Sequence, residues 1–330
     1  MIVSCQSQRV FEIILHQVYM LPLLVDELEG RGFMNRFIHN PILEPIEDSL
    51  WQSRSVFNAA AIHSDGLVHI VYRAQGRDNI SRLGLATSTD GFTIKERFDT
   101  PIFSPIHHAE RDGCEDPRLT IIDDQCYMAY TAFRNHDFPT IFQISLTSIN
   151  LQDFVNRNWN WNERILPFPG VRNKDAVILP NKINGNYVMF HRIEPSICIA
   201  YSDDLKKWHG FKSIMEPRDK MWDSLKIGAA GTPIELNEGY LFIYHGVDAN
   251  KHYSLGAALL DKNNPEKILY RTDKPILTPC KDYECIGDVP NVVFSCGNVV
   301  LDNQVIVYYG GADTVVCGAS YELNELLPKK

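Results

Sequence analysis

Apolar and polar positions alternate along most of this chain in short runs, and the runs come in pairs. From Asn58 the sequence reads Ala59-Ala60-Ala61-Ile62, a polar turn His63-Ser64-Asp65-Gly66, then Leu67-Val68-His69-Ile70-Val71-Tyr72-Arg73. Two such runs around an Asp-Gly turn predict a β-hairpin. The figure returns after Asp116 (Leu119 to Ile122, turn Asp123-Asp124, Cys126 to Tyr130) and after Asp175 (Ala176 to Leu179, turn Asn184-Gly185, Tyr187 to His191). It returns again after Gly231 (Thr232 to Leu236, turn Asn237-Glu238-Gly239, Tyr240 to His245) and after Pro290 (Val292 to Phe294, connection Asp302-Asn303, Val305 to Tyr309). The unit starts, 58, 116, 175, 231 and 290, lie 58, 59, 56 and 59 residues apart.

A third run follows each hairpin, such as Arg82 to Ala86 and Ile197 to Tyr201, and then a polar turn, clearest at Ser88-Thr89-Asp90-Gly91-Phe92 and Ser202-Asp203-Asp204. A fourth element carries Pro-Ile-x-x-Pro at Pro41 to Pro45, Pro101 to Pro105 and Pro275 to Pro279, where a missing N–H suits an outer edge. Five four-stranded units at a near-constant period predict an all-β fold, a five-bladed β-propeller, over residues 40–330. Two stacked β-sandwich domains are the alternative. Ahead of it, residues 1–39 form an N-terminal extension, in which Val10, Phe11, Ile14, Val18 and Leu21 fit one face of a helix ending near Pro22. That stretch reads as a docked amphipathic helix or an irregular extension; it is too short and too interrupted to span a bilayer.

Composition narrows the partners. A formal net charge of -9 over 330 residues argues against a general nucleic-acid or anionic-membrane binder. The eight cysteines include no Cys-x-x-Cys pair, so free thiols in a reducing, cytoplasmic setting are expected. His107-His108 near Cys114 lacks a four-ligand spacing, and no metal site is expected. No phosphate-cradling glycine loop and no G-x-S-x-G elbow are present. A homo-oligomer stays open.

In a propeller the first strand of every blade lines the axis, so the unit starts should meet in space. They are Asn58, Glu115-Asp116, Asn173-Lys174-Asp175, Lys226 to Gly231 and Asp288 to Asn291. The second strands end in Arg73, Arg134-Asn135, His191-Arg192, Tyr244-His245 and Asp313. A funnel of amides, acids and cations suits a sugar, whose hydroxyls need paired donors and acceptors. A glycosidase needs two carboxyl groups, and Asp116 has possible partners in Asp175, Asp288 and Asp313. Yet fixed cations at a glycosyl site suit an anion such as phosphate, which carries its own negative charge and needs no catalytic base. One carboxylic acid then suffices. Each of these residues also has a structural reading as a turn cap or an ion pair.

Several stretches together resemble glycoside hydrolase family 130, propeller enzymes acting on β-mannosides, and especially its mannoside phosphorylases. They include Gly113-Cys114-Glu115-Asp116-Pro117-Arg118, Asn173-Lys174-Asp175-Ala176-Val177, Tyr187 to Arg192, Tyr244-His245-Gly246-Val247, Pro290 to Phe294 and Tyr309 to Thr314. The resemblance implies that Asp116 is the proton donor and that Asn58, Arg73 and Asp313 hold the mannosyl unit. It implies that Arg134, Asn135, Lys174 and His191 hold phosphate, with one further cation among Arg157, Arg164 and Arg172. The expected activity is inverting phosphorolysis of a β-1,2- or β-1,4-linked manno-oligosaccharide or mannosyl-hexose to α-D-mannose 1-phosphate. Inorganic phosphate is the co-substrate and no cofactor is implied. A β-mannosidase of the same family and a non-catalytic carbohydrate-binding propeller are the alternatives.

Overall fold

The computed structural model describes residues 34–135 and 140–328. The N-terminal stretch expected as a helix ending near Pro22, or as an irregular extension, lies outside them. The described chain begins with β1 (Asn35–Arg36) and builds blade 1 from β2 (Ser55–Ser64), β3 (Leu67–Gln75), β4 (Ser81–Ser88) and β5 (Glu96–Arg97). Blade 2 is β6 (Gly113–Ile122), β7 (Gln125–Arg134) and β8 (Ile141–Asn150); blade 3 is β9 (Lys174–Ile178), β10 (Tyr187–Ile193), β11 (Ser196–Ser202) and β12 (His209–Met215). Blade 4 takes β13 (Lys226–Ala229), β14 (Ile234–Glu235), β15 (Tyr240–Val247), β16 (Tyr253–Leu260) and β17 (Ile268–Arg271). Blade 5 takes β18 (Val293–Leu301), β19 (Gln304–Gly311) and β20 (Val315–Glu322), and β1 pairs with β20 as its outer strand. The pairing within every blade is antiparallel.

Period-2 alternation explains both the apolar runs and the ring. On β10, Val188 and Phe190 pack toward Ile227 and Phe242 of blade 4, while Met189 between them packs toward Ala129 and Ile144 of blade 2. On β19, Val305, Val307 and Tyr309 face blade 4, and Ile306 and Tyr308 face Val56 and Ala59 of blade 1. Each sheet is thus buried on both faces, and the contact of blade 5 with blade 1 closes the circle. The five-bladed β-propeller is the fold.

The N-terminal residues supply the closure. Asn35 and Arg36 pair with Ser320 and Ala319, and Met34 N–H donates to the Ile276 carbonyl, so the last blade takes in residues ahead of the boundary expected at Asn40. The three Pro-Ile-x-x-Pro segments act alike. Leu43, Phe103 and Leu277, the residue after each Pro-Ile, form single bridges to Val316, Leu83 and Leu255 on the third strand of a blade. They are outer edges with one rung each. In blade 4 the first strand was expected at Thr232 to Leu236. Instead β13 lies ahead of it and β14 is a two-residue remnant, because Pro233 has no N–H to continue the ladder and Thr232 turns its hydroxyl to the Leu119 carbonyl at 2.7 Å.

Among the described residues, four blades share a buried clamp. A tyrosine near the end of the second strand donates to an acid or amide ahead of the first strand, and an arginine from the outer edge donates to the same group. Tyr72 meets Gln52 at 2.9 Å with Arg97 at 2.6 Å, and Tyr244 meets Asp223 at 2.9 Å with Arg271 at 2.6 Å. Tyr309 meets Glu284 at 2.8 Å with Arg36 at 2.6 Å; Tyr130 meets Glu110 at 2.6 Å, and Arg164 completes that set. In blade 3 the corresponding position is His191.

Candidate active site

Three inner strands begin with the same irregularity. Asn58-Ala59 lie opposite Tyr72, Asp116-Pro117 opposite Tyr130, and Asp175-Ala176 opposite His191, two residues facing one. Asn58, Asp116 and Asp175 each adopt a left-handed backbone, with φ of 49°, 51° and 56°. Asn and Asp are the side-chain-bearing residues that tolerate this conformation, which accounts for the residue types at three unit starts. A bulge re-aims its side chain, and here it turns all three into one cavity of about 170 Å³. Asp313 joins them from the end of β19, also left-handed at φ 52°. Arg73, Lys174 and Arg192 complete the polar wall; Tyr253, Val289, Val292 and Phe294 form an apolar one.

Asp116 is buried, and its Oδ1 accepts from Asn58 Nδ2 at 2.8 Å and from Arg73 Nη1 at 3.2 Å. Burial disfavours its charge, but Arg73, Lys174, the Asn58 amide and Arg118 prevail, and its carboxyl is held below the usual range. Glu115 shares the same arginine at 2.6 Å. Asp175 binds Arg118 at 3.2 Å and Arg192 at 2.8 Å. It too is held well below the usual range: burial opposes its charge, and Arg192 leads the groups that favour it. Asp313 goes the other way. Burial pushes its carboxyl up to about 7, against Arg73, with Asp116 adding to the rise.

Arg118 is not primarily a partner of Asp116. Fully buried, it reaches across the axis from blade 2 to blade 4, donating Nε to the Ala230 carbonyl and Nη2 to the Ala229 carbonyl, both at 2.9 Å. Its Nη1 donates to the carbonyl of Asp116 at 3.0 Å. It braces the floor of the cavity, and Gly228 makes room beside it: a Cβ there would lie 2.4 Å from Asp175 Oδ2.

Of the expected phosphate set, Lys174 lines the cavity with Asp116 and the other three residues lie off its wall. Arg134 ends β7 with Nη1 2.6 Å from His108 Nδ1, and Asn135 accepts from Thr140 Oγ1 at 3.1 Å. His191 is buried against Phe168, whose ring centroid lies 5.1 Å away. Its Nδ1 meets the Asn173 amide nitrogen at 3.0 Å, and burial pushes its pKa down to about 4, so the ring is neutral at pH 7. Nδ1 also lies 3.3 Å from the Asn173 amide oxygen, so it is satisfied in either tautomer, while Nε2 is buried with no partner. An orphaned buried ring nitrogen thus stands where each of the other four blades has a satisfied tyrosine.

The further cation is narrowed by geometry. Arg157 pairs with Glu96 at 2.6 Å on the outer edge, and Arg164 belongs to the clamp of blade 2. Arg172 lies over the Phe142 ring at 4.3 Å, the ring that also carries Lys174 at 4.9 Å. Asp288, a possible partner for Asp116, is exposed and pairs with Arg54 at 3.2 Å instead. Arg192 was expected from sequence only as one of the funnel's cations, and Tyr253 was not singled out; the alignment of Arg192 with Arg73 across the bulges is the signal that marks it further. His107-His108 and Cys114 form no metal cluster, and no group of His, Cys, Asp and Glu among the described residues does. No helix among them is long and apolar enough to cross a membrane.

Comparison with known proteins places the chain in a family. A family profile described as beta-1,4-mannooligosaccharide phosphorylase matches residues 34–328. The 1,2-beta-oligomannan phosphorylase of Thermoanaerobacter sp. (strain X514) is 44% identical over 89% of this chain and 98% of its own, as is that organism's beta-1,2-mannobiose phosphorylase. The solved beta-1,2-mannobiose phosphorylase of Listeria innocua, in complex with beta-1,2-mannobiose, is 26% identical with a TM-score of 0.78, covering 89% of this chain and 98% of that one. By profile, by sequence and by fold, the chain belongs to glycoside hydrolase family 130, the mannoside phosphorylase family.

Proposed function

We propose that the protein is an inverting phosphorylase that cleaves a β-1,2-linked mannoside with inorganic phosphate and releases α-mannose 1-phosphate. Asn58, Arg73 and Asp313 hold the mannosyl ring whose bond is cut. Asp116 protonates the departing oxygen, directly or through a sugar hydroxyl. Phosphate is received by Lys174, with Arg134, Asn135 and His191 as further contacts and Arg172 as the added cation, and attacks the anomeric carbon from the opposite face.

One observation supports the reading: Asp116 and Lys174 line the same cavity, with Arg73 shared between Asp116 and Glu115 and with Asp175 held by Arg118 and Arg192. The site provides an acid and a place for an anion. The β-1,2 linkage is favoured because both relatives at 44% identity carry it in their names. A cytoplasmic location, where phosphate is available, fits seven described cysteines that are all free.

A panel of β-mannobioses incubated with and without phosphate tests this. Mannose 1-phosphate should form only with phosphate, and from the β-1,2 isomer first; sugar release that ignores phosphate sinks the proposal. The second reading is a hydrolase. It rests on Asp313, whose carboxyl at about 7 suits a base that activates water. Phosphate-independent release that is lost in Asp313→Asn would establish it.

A further inference from the structure

Asp116 has to deliver a proton, yet the empty site holds it as a carboxylate. Its Oδ1 takes an amide donor and a guanidinium donor, both of which favour the charged form. The charged groups around it are Arg73 from β3, Glu115 and Arg118 from β6, Lys174 and Asp175 from β9, and Asp313 after β19; the Cys296 thiol of β18 lies near. Most of the cations are committed. Arg73 bonds Glu115 at 2.6 Å and Ser81 Oγ at 3.0 Å, and Arg118 is spent on three backbone carbonyls and Asp175.

Lys174 is different. Its one ion pair among the described residues, to Glu115 Oε2, is 4.0 Å long, and its side chain keeps a quarter of its surface. It is the pocket cation held most loosely, and therefore the one an incoming anion can redirect.

We propose that phosphate and the catalytic proton enter together: phosphate takes Lys174 for itself, brings negative charge beside Asp116, and Asp116 picks up one proton from solvent before the glycosidic bond breaks. The proposal rests on reading Lys174 as a phosphate contact and Asp116 as the acid. Charges and atoms balance. HPO4²⁻ binds as a proton adds to Asp116. A phosphate oxygen then forms a bond to the anomeric carbon as the bond to the leaving oxygen breaks, and that oxygen takes the Asp116 proton. Asp116 returns to a carboxylate, and the sugar phosphate loses its remaining proton to water. The arrangement ties readiness of the acid to presence of the nucleophile, so a site holding sugar but no phosphate has no loaded acid.

Calorimetric titration of the whole protein with inorganic phosphate at pH 8, in two buffers of different ionisation enthalpy, counts the protons. At pH 8 free phosphate is already the dianion, so uptake counts a proton gained by the complex, and the variants locate it. Wild type should take up protons as phosphate binds, and its apparent affinity should fall between pH 8 and pH 9. Asp116→Asn, which suits the left-handed backbone, should bind phosphate with no uptake and no such fall. Asp313→Asn should keep the uptake. Equal uptake in wild type and Asp116→Asn overturns the proposal, as does uptake lost with Asp313→Asn and kept with Asp116→Asn. A wild type that binds no phosphate removes the phosphorolytic reading itself, and this coupling with it.

Discussion

Asp313→Asn should stabilise the empty protein, and by an amount that grows with pH. The Asp313 carboxyl is pushed from an ordinary 3.8 up to about 7 in the folded state. Between these values the folded protein holds a proton that the unfolded chain has released, so stability is lost as pH rises through that window. At 1.36 kcal/mol per unit the loss relative to a neutral side chain reaches at most about 4 kcal/mol at pH 8, against roughly 1.6 kcal/mol at pH 5. The amide is close to isosteric and tolerates the same φ of 52°. Any packing cost of the change is the same at both pH values and cancels in the comparison. For a domain of this size the remaining difference of about 2.5 kcal/mol corresponds to roughly 5 °C in Tm. The measurement is thermal unfolding of both proteins from pH 5 to pH 8 in buffers without phosphate or sugar. A Tm difference that is flat across that range, or that shrinks as pH rises, refutes the reasoning.

Other perturbations follow from the same geometry. Asp116→Asn should keep the fold and sugar binding but lose about 10²- to 10⁴-fold in kcat, read with β-1,2-mannobiose and saturating phosphate. Lys174→Met should raise KM for phosphate at least about tenfold while moving KM for the disaccharide little, because it removes a charge-assisted contact to one substrate only. Arg118→Leu takes a donor from three carbonyls and from Asp175, which keeps Arg192. It should destabilise the fold by about 3 kcal/mol or more in urea denaturation, and an unchanged midpoint would count against the brace.

The period was readable in the sequence because each blade buries two faces and must repeat its apolar runs. The unit starts Asn58, Asp116 and Asp175 were readable as well, but their left-handed backbone was not, although few other residues accept it. The fourth unit was not: Thr232 to Leu236 looks like a first strand, and only the hydrogen bonds show the ladder already formed at Lys226 to Ala229. Arg118 illustrates the deeper limit. Two residues from Asp116 in the chain, it reads as its ion partner, whereas its main acceptors lie 111 and 112 residues away across the axis. The clamps stayed hidden for the same reason, because tyrosine, acid and arginine come from three segments. Seen against them, His191 in a tyrosine's place becomes informative only when the second strands are aligned by their bulges.

The manner of ring closure bears on how the chain is made. Asn35–Arg36 and Leu43 find their partners on β20, and Arg36 waits for Glu284, 248 residues later. During synthesis the first propeller segment to leave the ribosome is therefore the last to be paired, and it must travel as an open edge while four blades assemble beside it. Contacts this distant are slow to form, and unpaired edges invite association between chains. Pro41 and Pro45, which withhold donors on either side of Leu43, guard that part of it until the final strand arrives.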